Sequence, residues 1–404
     1  MADRDGATAW SRDGEPSLRT PRRGPAVVRC TLAVVGLSSL LGLCAAAPAT
    51  AQMRPSRPAV SAPVQPAAVF GSDDRAAVPG RYRHLRERIG LLFNARTRSV
   101  CTAFCVAPDI IATAGHCLYP SAAERLPRVA DFQFAPNYET RRGLVRLAGA
   151  GDGPLPQFAL SGGLAMSVRP PIEAARDWAM LRLAQPACKS AFAVRAMPAD
   201  QVIAEAAAGR VFQLAYHRDF QPYRLAYSSP CTVERNFPDA EWAVVAKDFS
   251  EPGHILLHTC DTGGSSSGSP ILVETPTGPE VVGINVGTYE QSKVEMAEGR
   301  VTRRGKSEKV ANTGVSALAF AAKLDILKQA VILSSPGQIR ALQQALKQRG
   351  SFQGAVDGRF SADLRRAIEG YERAQGLAVT GLATVALLKR VTTPLTRAAG
   401  RVPG

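Results

Sequence analysis

The chain has 404 residues, 46% of them hydrophobic and 21% charged, with a formal net charge of +15 at pH 7. That length excludes a minimal single module and allows two or three domains with a sizeable core. The charge implies attraction to polyanions, and nucleic acid, teichoic acids, peptidoglycan carboxylates and anionic lipid head groups satisfy it equally.

Residues 1–51 read as an export signal. An arginine-bearing leader ending in Arg22, Arg23 and Arg29 precedes an apolar run from Leu32 to Ala47, and Ala49-Thr50-Ala51 supplies a small-x-small cleavage pattern. An uncleaved anchor is the alternative, for which the run is short. Leu43 before Cys44 is too large for a lipid-attachment site. Residues 52–67, rich in Pro and Ala, read as a linker or short pro-segment.

Across 68–333, short apolar runs at 104–107, 110–113, 144–147, 211–216, 255–258, 271–273 and 281–286 alternate with Gly/Pro/Asp turns. Many short strands with turn punctuation predict a mainly β domain, closing with a strand at 313–315 and a helix over 317–329. A basic insertion bearing Lys293, Arg300, Arg303, Arg304, Lys306 and Lys309 reads as an exposed loop. Its sharper readings are a wall-binding lobe or a self-cleavage site. Beyond Pro336 the period becomes helical: Ile339, Leu342 and Leu346 share a face, and a turn follows at Asp357-Gly358. Further helices are predicted over 362–375, capped by Gly376, and over 384–390. Residues 392–404 are expected to be a disordered tail.

The stretch Thr259-Cys260-Asp261-Thr262-Gly263-Gly264-Ser265-Ser266-Ser267-Gly268-Ser269-Pro270 is too rich in small residues to be a core element. Small residues let backbone N–H groups approach a bound molecule closely, and a serine ahead of Gly-x-Pro can be held out on a tight turn. A Gly/Ser run alone is more often a linker, so Ser267 becomes a candidate nucleophile only through its partners. A hydroxyl needs an imidazole to take its proton, and the imidazole needs a buried carboxylate to fix its tautomer. His116 lies in Thr113-Ala114-Gly115-His116-Cys117, after the apolar run Ile110-Ile111-Ala112. Asp177 opens the strand-like Asp177-Trp178-Ala179-Met180-Leu181. Alone, the histidine would read as structural and the aspartate as a turn or cap residue. In the order His, Asp, Ser they point to nucleophilic catalysis.

That order is the one of the chymotrypsin-type double β-barrel, whereas subtilisins run Asp, His, Ser and α/β-hydrolases Ser, Asp, His. The chain resembles the trypsin-like serine peptidases, and among them the bacterial V8-like, glutamyl-endopeptidase branch. The resemblance rests on Cys101-Thr102-Ala103-Phe104, Thr113 to Cys117, Asp177 to Leu181, Ser267-Gly268-Ser269-Pro270 and Val282-Gly283-Ile284-Asn285. Phe70-Gly71-Ser72-Asp73-Asp74-Arg75 resembles the opening of the mature catalytic domain in that branch. It implies a chymotrypsin-like pair of six-stranded antiparallel β-barrels over 68–333. It also implies a His116, Asp177, Ser267 triad, with backbone N–H groups of Ser265 and Ser267 as the oxyanion hole. The chain departs at Ser265, where the family has glycine because that peptide adopts a conformation costly for a residue with a Cβ. Ser266 stands where chymotrypsin has the aspartate that pairs with a newly cut N-terminus, which excludes activation by that ion pair.

Asp261, Thr262 and Asn285 are the substrate-binding positions the resemblance implies. Asp261 is where trypsin places the carboxylate that reads Lys or Arg, yet the same Asp-Thr pair occurs in Glu-preferring members. Asn285 stands where those members carry a histidine, which favours a basic or small residue before the cleaved bond. Removal of the signal takes away Cys30 and Cys44 and leaves six cysteines, an even number that favours disulfides in an exported chain. Cys101 with Cys117 matches the family's histidine-loop bridge. Cys231 with Cys260 would anchor the chain before the nucleophile turn, and Cys105 with Cys188 remains by elimination. No Cys-x2-Cys occurs, and the strand-like Ile255-Leu256-Leu257 separates His254 from His258, so no metal or cofactor is expected.

Gln343, Gln344, Leu346, Gly350, Asp357-Gly358-Arg359-Phe360, Ile368, Tyr371, Gly376-Leu377 and Gly381 resemble the three-helix peptidoglycan-binding module, here 336–391. Tyr371-Glu372 departs from its usual Phe-Gln. No triad candidate lies in this segment, which therefore reads as separable from catalysis. Its basic side chains, Arg340, Lys347, Arg349, Arg359, Arg365 and Arg366, would attract any polyanion. The combined expectation is an exported serine endopeptidase, periplasmic or secreted and wall-associated. Its partners would be a protein or peptide substrate and peptidoglycan, with no nucleic acid and no stable membrane span after processing. The alternatives are an inert peptidase-fold binding protein of the envelope and a hydrolase of peptidoglycan stem peptides.

Overall fold

The structure, a computed structural model, describes residues 68–119, 126–139, 143–149, 151–237, 241–297 and 300–393. The export signal, the 52–67 segment and nearly all of the expected tail lie outside these residues. The described chain opens with a two-residue strand, β1 (Ala76–Ala77), and a 3-10 run at Gly80–Arg88. There follow β2 (Ile89–Asn94), β3 (Ser99–Ala107), β4 (Ile110–Thr113), β5 (Phe132–Pro136), β6 (Val145–Arg146), β7 (Ala159–Ser161) and β8 (Ala179–Arg182).

These seven form an antiparallel sheet in the order β6-β5-β2-β3-β4-β8-β7. β4 lies between β3 and β8 and is buried along its whole length, which is why Ile110-Ile111-Ala112 reads as an unbroken apolar run. Leu92, Ile111, Phe132, Phe134 and Leu181 fill the space the sheet encloses. A bridge between Leu147 and Leu183 joins the β6 end to the β8 end, so the sheet closes on itself.

Helix α1 (Ala199–Ala207) connects to β9 (Val211–Tyr216), β10 (Leu225–Ser228) and β11 (Val233–Glu234), and a short α2 (Trp242–Val245) precedes β12 (Ile255–His258), β13 (Pro270–Val273), β14 (Glu280–Ala297) and β15 (Arg300–Ser316). With β1 they form a second sheet, β1-β10-β9-β13-β14-β15-β12-β11, around Val211, Leu256, Ile271 and Val282. Cys231 N–H donates to Val211 C=O, tying the β11 end back to β9. Sheets of seven and eight strands replace the expected six each because β1, β6 and β11 are two-residue edges; without them each sheet has six. The basic insertion is a correction: its backbone continues the ladder between β14 and β15, with Glu295 opposite Arg303, rather than forming a loop. Backbone hydrogen bonds that pair with each other need no core to hold the ribbon extended.

Helix α3 (Ala321–Gln329) returns to the first sheet, where Arg182 donates to Leu327 C=O. Three further helices follow, α4 (Pro336–Gln348), α5 (Ala362–Ala374) and α6 (Val385–Thr392). Each starts at a hydroxyl cap: Ser335 accepts from Gln338 N–H, Ser361 from Leu364 N–H and Thr384 from Leu387 N–H. Ile339, Leu342, Leu346, Leu364, Ile368, Tyr371 and Leu387 meet in one apolar cluster. Gln343 explains its place in the sequence pattern. Its amide oxygen accepts from Gly358 N–H at 2.8 Å, and its amide nitrogen donates to Asp357 Oδ1 at 2.9 Å and Arg359 C=O at 3.1 Å. Buried Glu372 accepts from Thr380 N–H, Thr380 Oγ1 and Gly381 N–H, fixing the approach to α6. These helices belong to the same compact unit as the two sheets, Gln65–Gly404. No helix among the described residues is long and apolar enough to cross a membrane.

Candidate active site

β4 delivers the chain into a 3-10 turn, Gly115–Cys117, that carries His116 at the rim of the first sheet. Asp177 sits just before β8, the neighbour of β4, so strand pairing alone brings the two together. Asp177 is buried, and both its oxygens are engaged: Oδ1 accepts from His116 N–H at 2.8 Å and Oδ2 lies 2.8 Å from His116 Nδ1. One carboxylate thus fixes both the backbone and the ring. Burial of the imidazole disfavours its charged form, but the Asp177 charge and hydrogen bond outweigh that and hold the His116 pKa above its ordinary value. Trp178, fully buried, packs its ring on Phe320 and anchors the aspartate's segment.

The second sheet supplies the serine turn ahead of β13. Thr102 N–H donates to Ser267 C=O at 2.9 Å. A Cβ on Gly268 would fall 2.1 Å from Thr113 Oγ1 and 2.3 Å from Thr102 C=O, and its φ is +84°. Only glycine allows this approach, and it sets the Ser267-Gly268 pair against Thr102, Thr113 and Ala114, just before the His116 turn. Ser265 has φ +77°, the third position of a turn closed by Ser266 N–H to Gly263 C=O at 3.1 Å. A positive φ there is the type II form, which favours glycine. The Thr102 hydroxyl braces the turn by donating to Ser265 C=O at 2.8 Å, while it accepts from Tyr216 N–H. The N–H groups of Ser266, Gly268 and Ser269 donate to Gly263, Asn285 and Ser266. Those of Ser265 and Ser267 have no acceptor among the described residues.

The three expected substrate-binding residues fare differently. Asp261 is 1% exposed and its oxygens accept from the N–H groups of Phe70 and Asp74, both at 2.9 Å. It holds the N-terminal segment, with one oxygen on each of these two amides. Asn285 is also buried, and its amide donates to Ser266 C=O at 3.2 Å, bracing the serine turn from below. Thr262 donates to Asn312 Oδ1 at 3.1 Å, and Thr288 donates to the same oxygen at 2.9 Å. The Asn312 amide also donates to Cys260 C=O at 2.7 Å, so this fully buried side chain spans the two segments that flank the serine turn.

Disulfides join Cys101 to Cys117, Cys105 to Cys188 and Cys231 to Cys260, the three expected pairs. His116 lies close to the sulfurs of Cys101 and Cys117, but a disulfide offers no thiolate to a metal. Thr102 and Asn312 escaped the sequence reading. Thr102 lies in the Cys101 to Phe104 motif without any mark of its bracing role; Asn312 has no local signal at all, since the threonines that bond it lie 50 and 24 residues away.

Residues 335–391 match the family model described as "Putative peptidoglycan binding domain". Among solved structures, a Glu endopeptidase in complex with MPD is 17% identical and covers 64% of this chain and 99% of its own, with a TM-score of 0.43. Kallikrein-related peptidase 10 is 15% identical and covers 61% and 96%, with a TM-score of 0.34. The trypsin-like serine peptidases named from the sequence motifs therefore have counterparts among the structural matches. At such scores the reading of the site rests on its own geometry. No match is found among curated proteins.

Proposed function

We propose that this chain is an exported serine endopeptidase held at the cell wall by residues 336–391, with residues 68–333 as the catalytic part. The observation that carries it is the pair of N–H groups at Ser265 and Ser267 with no acceptor among the described residues, on a turn packed against Thr113 and Ala114, which lead into a histidine oriented by a buried carboxylate. Ser267 Oγ attacks the carbonyl carbon while His116 takes its proton; the Ser265 and Ser267 N–H groups receive the developing oxyanion. Each such donor contributes about 3–4 kcal/mol in comparable sites. His116 then gives the proton to the leaving amine, and water, activated by the same ring, hydrolyses the acyl-enzyme.

The residue before the cleaved bond is small in this reading. Asp261 is buried with both oxygens held by backbone N–H groups, which argues against a free carboxylate that would select Lys or Arg. Thr262 is likewise engaged, donating to the buried Asn312 Oδ1 that also accepts from Thr288, which supports a short rather than a long side chain. Fluorophosphonate is expected to label the mature protein at Ser267, with Ser267→Ala and His116→Ala both abolishing it. Labelling that survives Ser267→Ala removes the assignment of Ser267, and an unsubstituted protein that takes no label leaves the inert binding protein. Retention of the protein on sacculi at raised salt, where charge attraction is screened within about 8 Å or less, tests the wall assignment.

A further inference from the structure

Arg365, named from sequence among the module's basic side chains that would attract a polyanion, is 2% exposed. Burying a guanidinium is costly unless its charge and donors find partners, and a flexible tether would have no use for it. Its Nε donates to Glu369 Oε1 at 2.8 Å, one helical turn along α5. Its Nη2 leaves the module altogether and donates to Ser161 C=O at 3.0 Å and Ser161 Oγ at 3.3 Å, at the end of β7. Nη1 is buried with no acceptor among the described residues.

Two segments lie against this guanidinium, and each is hydrogen-bonded to the backbone around one member of the acid–base pair. Ser161 pairs with Ala179 in β8, and the next residue, Gly162, donates N–H to Trp178 C=O and accepts from Arg176 Nε. A Cβ on Gly162 would lie 2.3 Å from Arg176 C=O, so there is no slack between this strand end and residues 176–178, which include Asp177. On the other side stands Tyr119, whose N–H donates to Gly115 C=O in the turn that holds His116. Its buried hydroxyl is near enough for the Arg365 charge to oppose the rise that burial gives its pKa.

We propose that Arg365 is a positioning residue of the catalytic centre, through which the C-terminal module holds the segments bearing His116 and Asp177 in register. The module is then part of the catalytic unit, and removing it disturbs the site as well as the anchoring. The effect on catalysis rests on the peptidase reading above; the effect on the His116–Asp177 contact does not.

The test uses the full mature chain with isotope-labelled histidine. The His116 ring is titrated by NMR in the unsubstituted protein, in Arg365→Met and in Arg366→Met, an exposed neighbour whose loss should change nothing. Loosening of the Asp177 contact lowers the His116 pKa, whereas mere removal of a nearby positive charge raises it, so the sign separates positioning from simple electrostatics. A lower His116 pKa in Arg365→Met is expected, with fluorophosphonate labelling slowed roughly tenfold to a hundredfold. An unchanged or raised pKa in a variant that still unfolds cooperatively overturns the proposal. Should Arg365→Met fail to fold, Arg365→Lys keeps the charge but loses the planar fork, and the same fall in pKa, smaller in size, is required of it. If the unsubstituted protein takes no label, the peptidase reading falls while the titration still decides the role of Arg365.

Discussion

Two of the turns that place a residue in the left-handed region meet that demand differently. In the C-terminal module the residue is Gly358, at φ +78°, where a Cβ would lie 2.6 Å from Pro336 C=O. In the nucleophile turn two residues have positive φ: Gly268, with no room for a Cβ, and Ser265, at φ +77°. The first turn only has to join two helices, and its residue is the one without a steric cost. The second, in the proposed mechanism, exposes N–H groups to an incoming oxyanion, and a serine is held there by the hydroxyl of Thr102. Strain of this kind persists only where the surroundings over-determine it, and it gathers at functional sites.

Substitutions at the three positions can break that contrast. Gly268→Ala should have the largest effect, roughly 3–5 kcal/mol of stability and loss of fluorophosphonate labelling, because the clash is with backbone that cannot yield. A folded, labelled variant in thermal unfolding and labelling assays would mean that the turn has slack. Gly358→Ala should cost about 2–3 kcal/mol by the same measurement, and the mature protein should then lose its retention on sacculi. Ser265→Gly should go the other way, gaining up to about 1 kcal/mol as the Cβ penalty disappears. Its labelling rate should be equal or higher. A tenfold loss, about 1.4 kcal/mol, would give the serine side chain a role beyond filling the position.

Two pH dependences sharpen the same picture with smaller effects. As the proposed base, His116 would have to be neutral, so its raised pKa should move the midpoint of labelling rate against pH above the ordinary imidazole value of 6.5. Being raised in the folded state, it contributes stability at pH below that ordinary value, lost as pH rises through the folded one. Asp74, at the clamp that leads into the nucleophile turn, has its carboxyl pushed up to about 6 by desolvation and by the neighbouring Asp261 carboxylate, although the residue as a whole is exposed. Its raised value means the folded state binds the proton more tightly, so stability should fall as pH rises from the ordinary 3.8 through about 6. Asp74→Asn should flatten denaturation midpoints across that window; an unaltered slope would show that solvent screens the pair.

The residues that meet through neighbouring strands were legible in the chain itself. His116 ends an apolar strand, Asp177 opens one, and Ile110-Ile111-Ala112 beside Ala179-Met180-Leu181 is the kind of run that pairing buries. The three helices of the C-terminal module were legible for a similar reason, since caps and helical spacing act over a few residues. Other features had no local signature. The carboxylate of Asp261 could serve a substrate or a backbone, and only the arrival of residues 70–74 from 187 and more positions away decided for the backbone. The basic insertion had the composition of a loop, and pairing across 17 and 18 residues made it a ribbon. Arg365 carries a charge that composition assigns to the surface. Ser161, 204 residues before it, supplies the acceptors that allow it to be buried, because the partner that repays desolvation is set by how the module packs and not by the sequence around the charge.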